Sequence, residues 1–171
     1  MKRSSCIAVL LAVFTFTFSS CGGGNENKDR IVTHPVETES VAPVEEVSNT
    51  LSLEAYDEMK YNKTELRALA GKPITLTLTH IGTMDKNAMG HNFVLLKQGT
   101  DVNDFDQKAL TAKENDYIPK SESSKIIAHT KLLAGGESDT IVFTVPEKGS
   151  YDYICSFPGH AALMKGKLIV E

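Results

Sequence analysis

From Thr50 onward the sequence is cut into short alternating segments. The clearest, Ile74-Thr-Leu-Thr-Leu-Thr-His80, puts Ile74, Leu76 and Leu78 on one face and threonines on the other. Side chains alternate faces along a strand, so a period of two predicts a strand with one buried face. Comparable segments are Leu51 to Tyr56, His91 to Leu96, Lys125 to Leu133, Thr140 to Val145, Tyr151 to Cys155 and Lys165 to Val170. Turn residues separate them at Gly71-Lys-Pro73, Gly135-Gly136, Pro146 to Gly149 and Pro158-Gly159. Asp101 to Asp116 breaks the pattern: Phe105, Ala109, Leu110 and Ala112 predict one short inserted helix. Many short strands with turns between them predict an all-β antiparallel sandwich or barrel. Roughly 120 residues are enough to enclose a core without disulfides.

The residues before Thr50 read differently. Lys2 and Arg3 precede an apolar run from Ile7 to Phe18, too short to span a bilayer and in the charge order of a secretory signal. Residues 1–20 are therefore expected to be a lipoprotein signal peptide, with Phe18-Ser-Ser-Cys21 as the processing box and Cys21 as the acylated N-terminus. Phe18 stands where leucine is usual. An ordinary signal peptide that leaves Cys21 as a free thiol is the plainer alternative. Residues 21–49 are rich in Gly, Asn, Glu, Pro, Thr and Val without a sustained period, and predict a flexible acidic tether with a span of roughly 30 Å. The formal net charge is -4, and no cluster of Lys and Arg interrupts it. Nucleic acid is thus not an expected partner; acyl chains on Cys21 would supply membrane affinity unaided.

Cysteine usage narrows the function. Cys6 lies in the signal segment and Cys21 in the processing box, which leaves Cys155 alone in the folded part. A single cysteine in an exported chain calls for an explanation as a reactive thiol, an intermolecular bridge or a metal ligand. Cys155-Ser-Phe-Pro-Gly-His160-Ala-Ala-Leu-Met164 supplies a thiol, an imidazole and a thioether from one tight loop, and Met89-Gly90-His91-Asn92 opens another segment with a second imidazole. A thiolate, two imidazoles and a weak axial thioether form the ligand set of blue-copper electron-transfer sites. Zinc accepts the same thiolate and imidazoles, but thioether is a poor fourth ligand for it.

Asn87-Ala-Met-Gly-His-Asn92, Ile127-Ala-His-Thr-Lys131 and Cys155 to Gly166 resemble the azurins, a group of cupredoxins, and the likeness runs from Thr50 to Glu171. The resemblance implies a Greek-key cupredoxin domain over residues 50–171 with one type 1 copper. His91, Cys155 and His160 would be equatorial ligands, Met164 a long axial ligand, and the Gly90 carbonyl a second axial contact. The amides of Asn92 and Phe157 would donate to the thiolate. Met84, Ala88, Met89, Phe157, Pro158, Ala162 and Leu163 would ring an exposed edge of His160 as a docking patch for short-lived redox complexes. Two departures concern stability more than ligation. No disulfide joins the first strand to a neighbour, and Phe93 stands where a tryptophan is expected.

The leading expectation is single-electron transfer between exported redox proteins such as cytochromes or copper enzymes, from a lipoprotein of the cell envelope that faces the periplasm or sits on the outer membrane. A copper-binding accessory role, buffering or delivering the metal, is the alternative; the Met-rich tract that would favour it is not visible. Copper catalysis would need a second histidine cluster, and His34, His80 and His129 do not offer one. His34 reads as a solvated tether residue, His80 as a core histidine near the site without ligating, and His129 as a surface residue.

Overall fold

The computed structural model describes residues 47–171. The signal segment 1–20, Cys21 and most of the expected tether lie outside the described residues. Nine strands carry the fold: β1 Thr50–Tyr56, β2 Lys60–Tyr61, β3 Glu65–Ala68, β4 Pro73–His80, β5 Val94–Leu96, β6 Ile126–His129, β7 Ser138–Thr144, β8 Gly149–Ile154 and β9 Lys165–Val170. Two short helices interrupt them, α1 Lys86–Met89 and α2 Val102–Ala109, and Lys113–Asn115 and Lys120–Lys125 are 3-10 turns. The strands form two sheets, in the orders β2-β1-β4-β7 and β3-β9-β8-β5-β6.

The two-sheet, all-β expectation holds, but not every pair is antiparallel. β1 runs parallel to β4, and β3 parallel to β9. The path of the chain explains this. After β1 and β2 it crosses to the other sheet as β3, and it returns as β4 starting from the same end as β1. A return after such a crossing lands parallel.

Alternation decides what is buried. Leu51, Leu53 and Ala55 of β1, Ile74, Leu76 and Leu78 of β4, and Phe143 of β7 meet Leu66, Ala68, Tyr151, Tyr153, Leu168 and Val170 of the facing sheet in one core. β5 is buried on both faces. Phe93, just before it, and Leu95 point into that core, whereas Val94 and Leu96 join Phe105 of α2, Ile154 and Ala161 in a second cluster. Helix α2 thus covers the outer face of β5 and reaches the stretch after Cys155.

Beyond shifts of one or two residues at strand ends, three boundaries differ from expectation. The inserted helix stops at Ala109 rather than near Asp116: the backbone leaves the helical region at Ala112, with φ -103° and ψ 32°, a 3-10 turn follows at Lys113–Asn115, and Asp116 and Tyr117 turn left-handed, with φ of 52° and 61°. The strand expected from His91 begins only at Val94, since the Asn92 carbonyl and the Phe93 amide are taken by side chains, and His91 makes an isolated bridge to Leu133. The segment expected from Lys125 to Leu133 is strand only over Ile126–His129, with Lys125 closing a 3-10 turn. At the other end of the domain, the fold takes hold at Ser48: its amide bonds Arg67 O, and the Asn49 side chain bonds Leu69 and Pro73.

Candidate metal centre

The loop after β8 begins at Cys155 and ends at Met164. Its two ends are joined by the Cys155 amide donating to Met164 O at 2.9 Å. Inside it, the amides of His160, Leu163 and Met164 bond back to Phe157 O and His160 O, while Gly159 takes φ +81°, a conformation that costs glycine little. The sequence from Cys155 to Met164 is therefore wound into a tight turn that brings sulfur and imidazole to one point.

The other imidazole comes from the chain after α1. Asp85 caps that helix by accepting from the Asn87 amide. Gly90 then passes so close to its neighbours that a Cβ there would lie 2.5 Å from Lys86 O and 2.9 Å from Leu132 Cγ. The paired amides and carbonyls of His91 and Leu133 fix the backbone of the ligand itself, at 3.1 and 2.8 Å.

Three donor atoms converge. Cys155 Sγ lies 3.9 Å from His91 Nδ1 and 3.6 Å from His160 Nδ1, and the two Nδ1 atoms are 3.2 Å apart. Among the described residues, this is the group of His, Cys, Asp and Glu with the spacing to hold a metal ion, and all three side chains are buried. His91 Nε2 donates to Tyr56 O at 2.9 Å, so the lone pair of Nδ1 faces the sulfur. Met164, fully buried, closes the same loop, and Gly90 O is 3.9 Å from Sγ.

Burial sets the charge state of the donors. It pushes the Cys155 thiol up to about 12, against the amides of Asn92 and Phe157, which donate to the sulfur and pull the other way. Burial first, then the neighbouring histidines, lowers His91 to about 4, and burial with His80 does the same for His160. A thiol and two imidazoles, all buried and neutral, with a buried thioether in the same loop, suit a soft cation, and the residues present fit copper.

Hydrogen-bonded side chains surround the donors, and the sequence marks only some of them. Asn92 reaches across to Ser156, accepting its amide at 2.9 Å and donating to its hydroxyl at 2.9 Å. His80 is fully buried, with its ring edge on His91 at 4.3 Å, and its Nε2 donates to Asp57 at 3.0 Å. No sequence spacing marks Asp57. It is held below the usual carboxylate range, first by the Thr83 amide and then by His80. His129 is exposed, as expected.

Around the loop, Met84 and Leu163 are 40% and 64% exposed, Ala88 and Ala162 are exposed, and Met89 and Pro158 are half-buried. His160 itself is only 3% exposed, under the Phe157 ring at 4.7 Å. The expected open edge is therefore a thin one.

Two facing sheets with a buried sulfur-and-imidazole centre between their loops define a small β-sandwich metal protein. The family described as copper binding proteins, plastocyanin/azurin family, matches residues 46–171, and the chain belongs to it as an azurin-like cupredoxin. It is 40% identical over 116 residues to Azurin-1 of Alcaligenes xylosoxydans xylosoxydans, covering 66% of this chain and 89% of that one. To outer membrane protein H.8 of Neisseria gonorrhoeae it is 38% identical over 121 residues, 68% of this chain and 64% of that protein. Dithionite-reduced auracyanin from Roseiflexus castenholzii superposes with a TM-score of 0.66 at 35% identity, over 74% of this chain and 99% of the other.

Proposed function

We propose that the chain carries single electrons in the cell envelope, with one type 1 copper held by His91, Cys155, His160 and Met164. The observation that carries this reading is the convergence of Cys155 Sγ and two imidazole Nδ1 atoms within 4.8 Å of one another in a buried site. When bound, copper supplies a one-electron couple. Cys155 must give up its proton to ligate, so loading is favoured as pH rises. His91 is held in the ligating tautomer by Tyr56 O. The amides of Asn92 and Phe157 take part of the charge of the thiolate, and Gly90 O, 3.9 Å from the sulfur, would offer the metal a weak further contact. No substrate is transformed.

The exposed atoms of Met84, Ala88, Ala162 and Leu163, with Met89 and Pro158, form the docking patch for exported redox partners such as cytochromes or copper enzymes. Cys21 carries the lipid anchor, a reading supported by the signal pattern before it and by likeness to a protein named as belonging to an outer membrane.

The test is production of the full chain in a Gram-negative host with copper and labelled fatty acid. A blue, labelled, membrane-bound protein is expected. Cys155→Ser should be colourless; a variant that stays blue disproves the ligand assignment. Cys21→Ser should lose label and membrane binding, and an unlabelled wild type removes the anchor alone. Leu163→Asp should keep the colour and slow electron self-exchange, so an unchanged rate refutes the docking patch.

A further inference from the structure

Tyr61, in the two-residue strand β2, is buried, and its hydroxyl donates to the carbonyl of Asn92 at 2.5 Å. The N–H of the same peptide unit belongs to Phe93 and donates to Thr130 Oγ1 at 2.9 Å. Both polar groups of peptide 92–93 are thus taken by side chains instead of a sheet ladder. This peptide lies one unit beyond the one that joins His91 to Asn92. Its first residue sends its own amide to Cys155 Sγ and its side chain to Ser156. Asn92 therefore joins the two stretches of chain that bring the ligands together, and it can do so only as firmly as its own backbone is fixed.

We propose that Tyr61 is a positioning residue for the Cys155 centre: its hydroxyl fixes peptide 92–93 and, through it, the Asn92 amide that faces the sulfur. The inference rests on the copper reading for one of its two readouts and is independent of it for the other. Tyr61→Phe keeps the ring and its edge contact with Tyr153 at 5.7 Å, and removes only the hydroxyl. Tyr153→Phe is the matched control, since that hydroxyl also donates to a backbone carbonyl, the half-buried Lys63 O at 2.7 Å, which belongs to neither ligand-bearing stretch.

In the metal-free full chain, Tyr61→Phe should speed amide exchange at Asn92 and Ser156 by about tenfold, the order expected for loss of one buried hydrogen bond. Tyr153→Phe should leave those two amides unchanged. In the copper-loaded chain, a loosened Asn92 amide withdraws less charge from sulfur, so the thiolate favours Cu(II) more. The reduction potential of Tyr61→Phe should fall and its thiolate absorption band should shift, with neither change in Tyr153→Phe. If the two variants lose stability alike and share the same exchange, band and potential, Tyr61 is merely structural and the proposal is overturned. Thr130→Val, which frees the other polar group of the same peptide, should reproduce both changes and takes over if Tyr61→Phe does not fold. Its failure to alter either readout would overturn the proposal equally. A colourless wild type sinks the copper reading while leaving the exchange comparison intact.

Discussion

Met164 is held more tightly than a weak ligand needs to be: its amide bonds His160 O at 2.7 Å, its carbonyl takes the Cys155 amide at 2.9 Å, and its side chain is fully buried. The backbone that carries the thioether is thus fixed on both its amide and its carbonyl side. Exchanging it for leucine conserves volume and should cost under about 1.5 kcal/mol of stability. Met164→Leu should raise the reduction potential, because a donor that favours Cu(II) is lost; voltammetry showing no change would mean that the thioether does not contribute. At this scale the sequence was legible where chemistry is local. Cys155, His160 and Met164 announce themselves by spacing within one loop, and His91 by its flanking glycine and asparagine. Asp57, Tyr61 and Thr130 stayed invisible, because each acts through a hydrogen bond to a residue 23 or more positions away and no spacing marks such a partner.

Strand β4 could be read directly, since its four inward positions are buried and its outward ones are not. β3 could not. Its four residues offer only Leu66 and Ala68 as inward positions, too short a run to show a period. Strand direction was equally hidden, as alternation is the same in parallel and antiparallel pairs, and so the β1 to β4 and β3 to β9 pairings appear only in the structure. Helix α2 was legible in existence and not in length. It is fixed on one side by Phe105 and on the other by charge: Lys108 and Lys125 each pair with both Asp104 and Glu122, at 2.6 to 3.3 Å. Phe105→Ala should cost about 3–5 kcal/mol, measurable as a lowered denaturant midpoint. Because Ala161 of the ligand loop sits in the same cluster, the cavity should also broaden the thiolate absorption band. A midpoint unchanged from wild type would mean that α2 is a passive cover.

Taken whole, the metal-free protein should be most stable in a pH window set by its own ligands. His91 and His160 fall to about 4 from 6.5, so between those values the unfolded chain binds more protons and stability declines as pH falls. Cys155 rises to about 12 from 9.0, so above 9.0 the unfolded chain releases its proton first and stability declines as pH rises. Together the histidines are worth on the order of a few kcal/mol across their window. Denaturant titrations of the apo protein should trace a plateau between those limits, and a flat profile below pH 6.5 would mean that the imidazoles are wetter than their burial implies. Strand β1 runs between two poles of the domain. The described fold begins beside Pro73 and Thr75, whereas Tyr56, at the far end of that strand, accepts from the ligand His91. Six rises of about 3.3 Å put roughly 20 Å of sheet between the two poles. Tunnelling through that much protein is slow, while His160 lies under a single ring at the opposite pole. The β1 end is in effect an insulated handle: whatever holds the protein there can do so without opening a leak for the electron it carries.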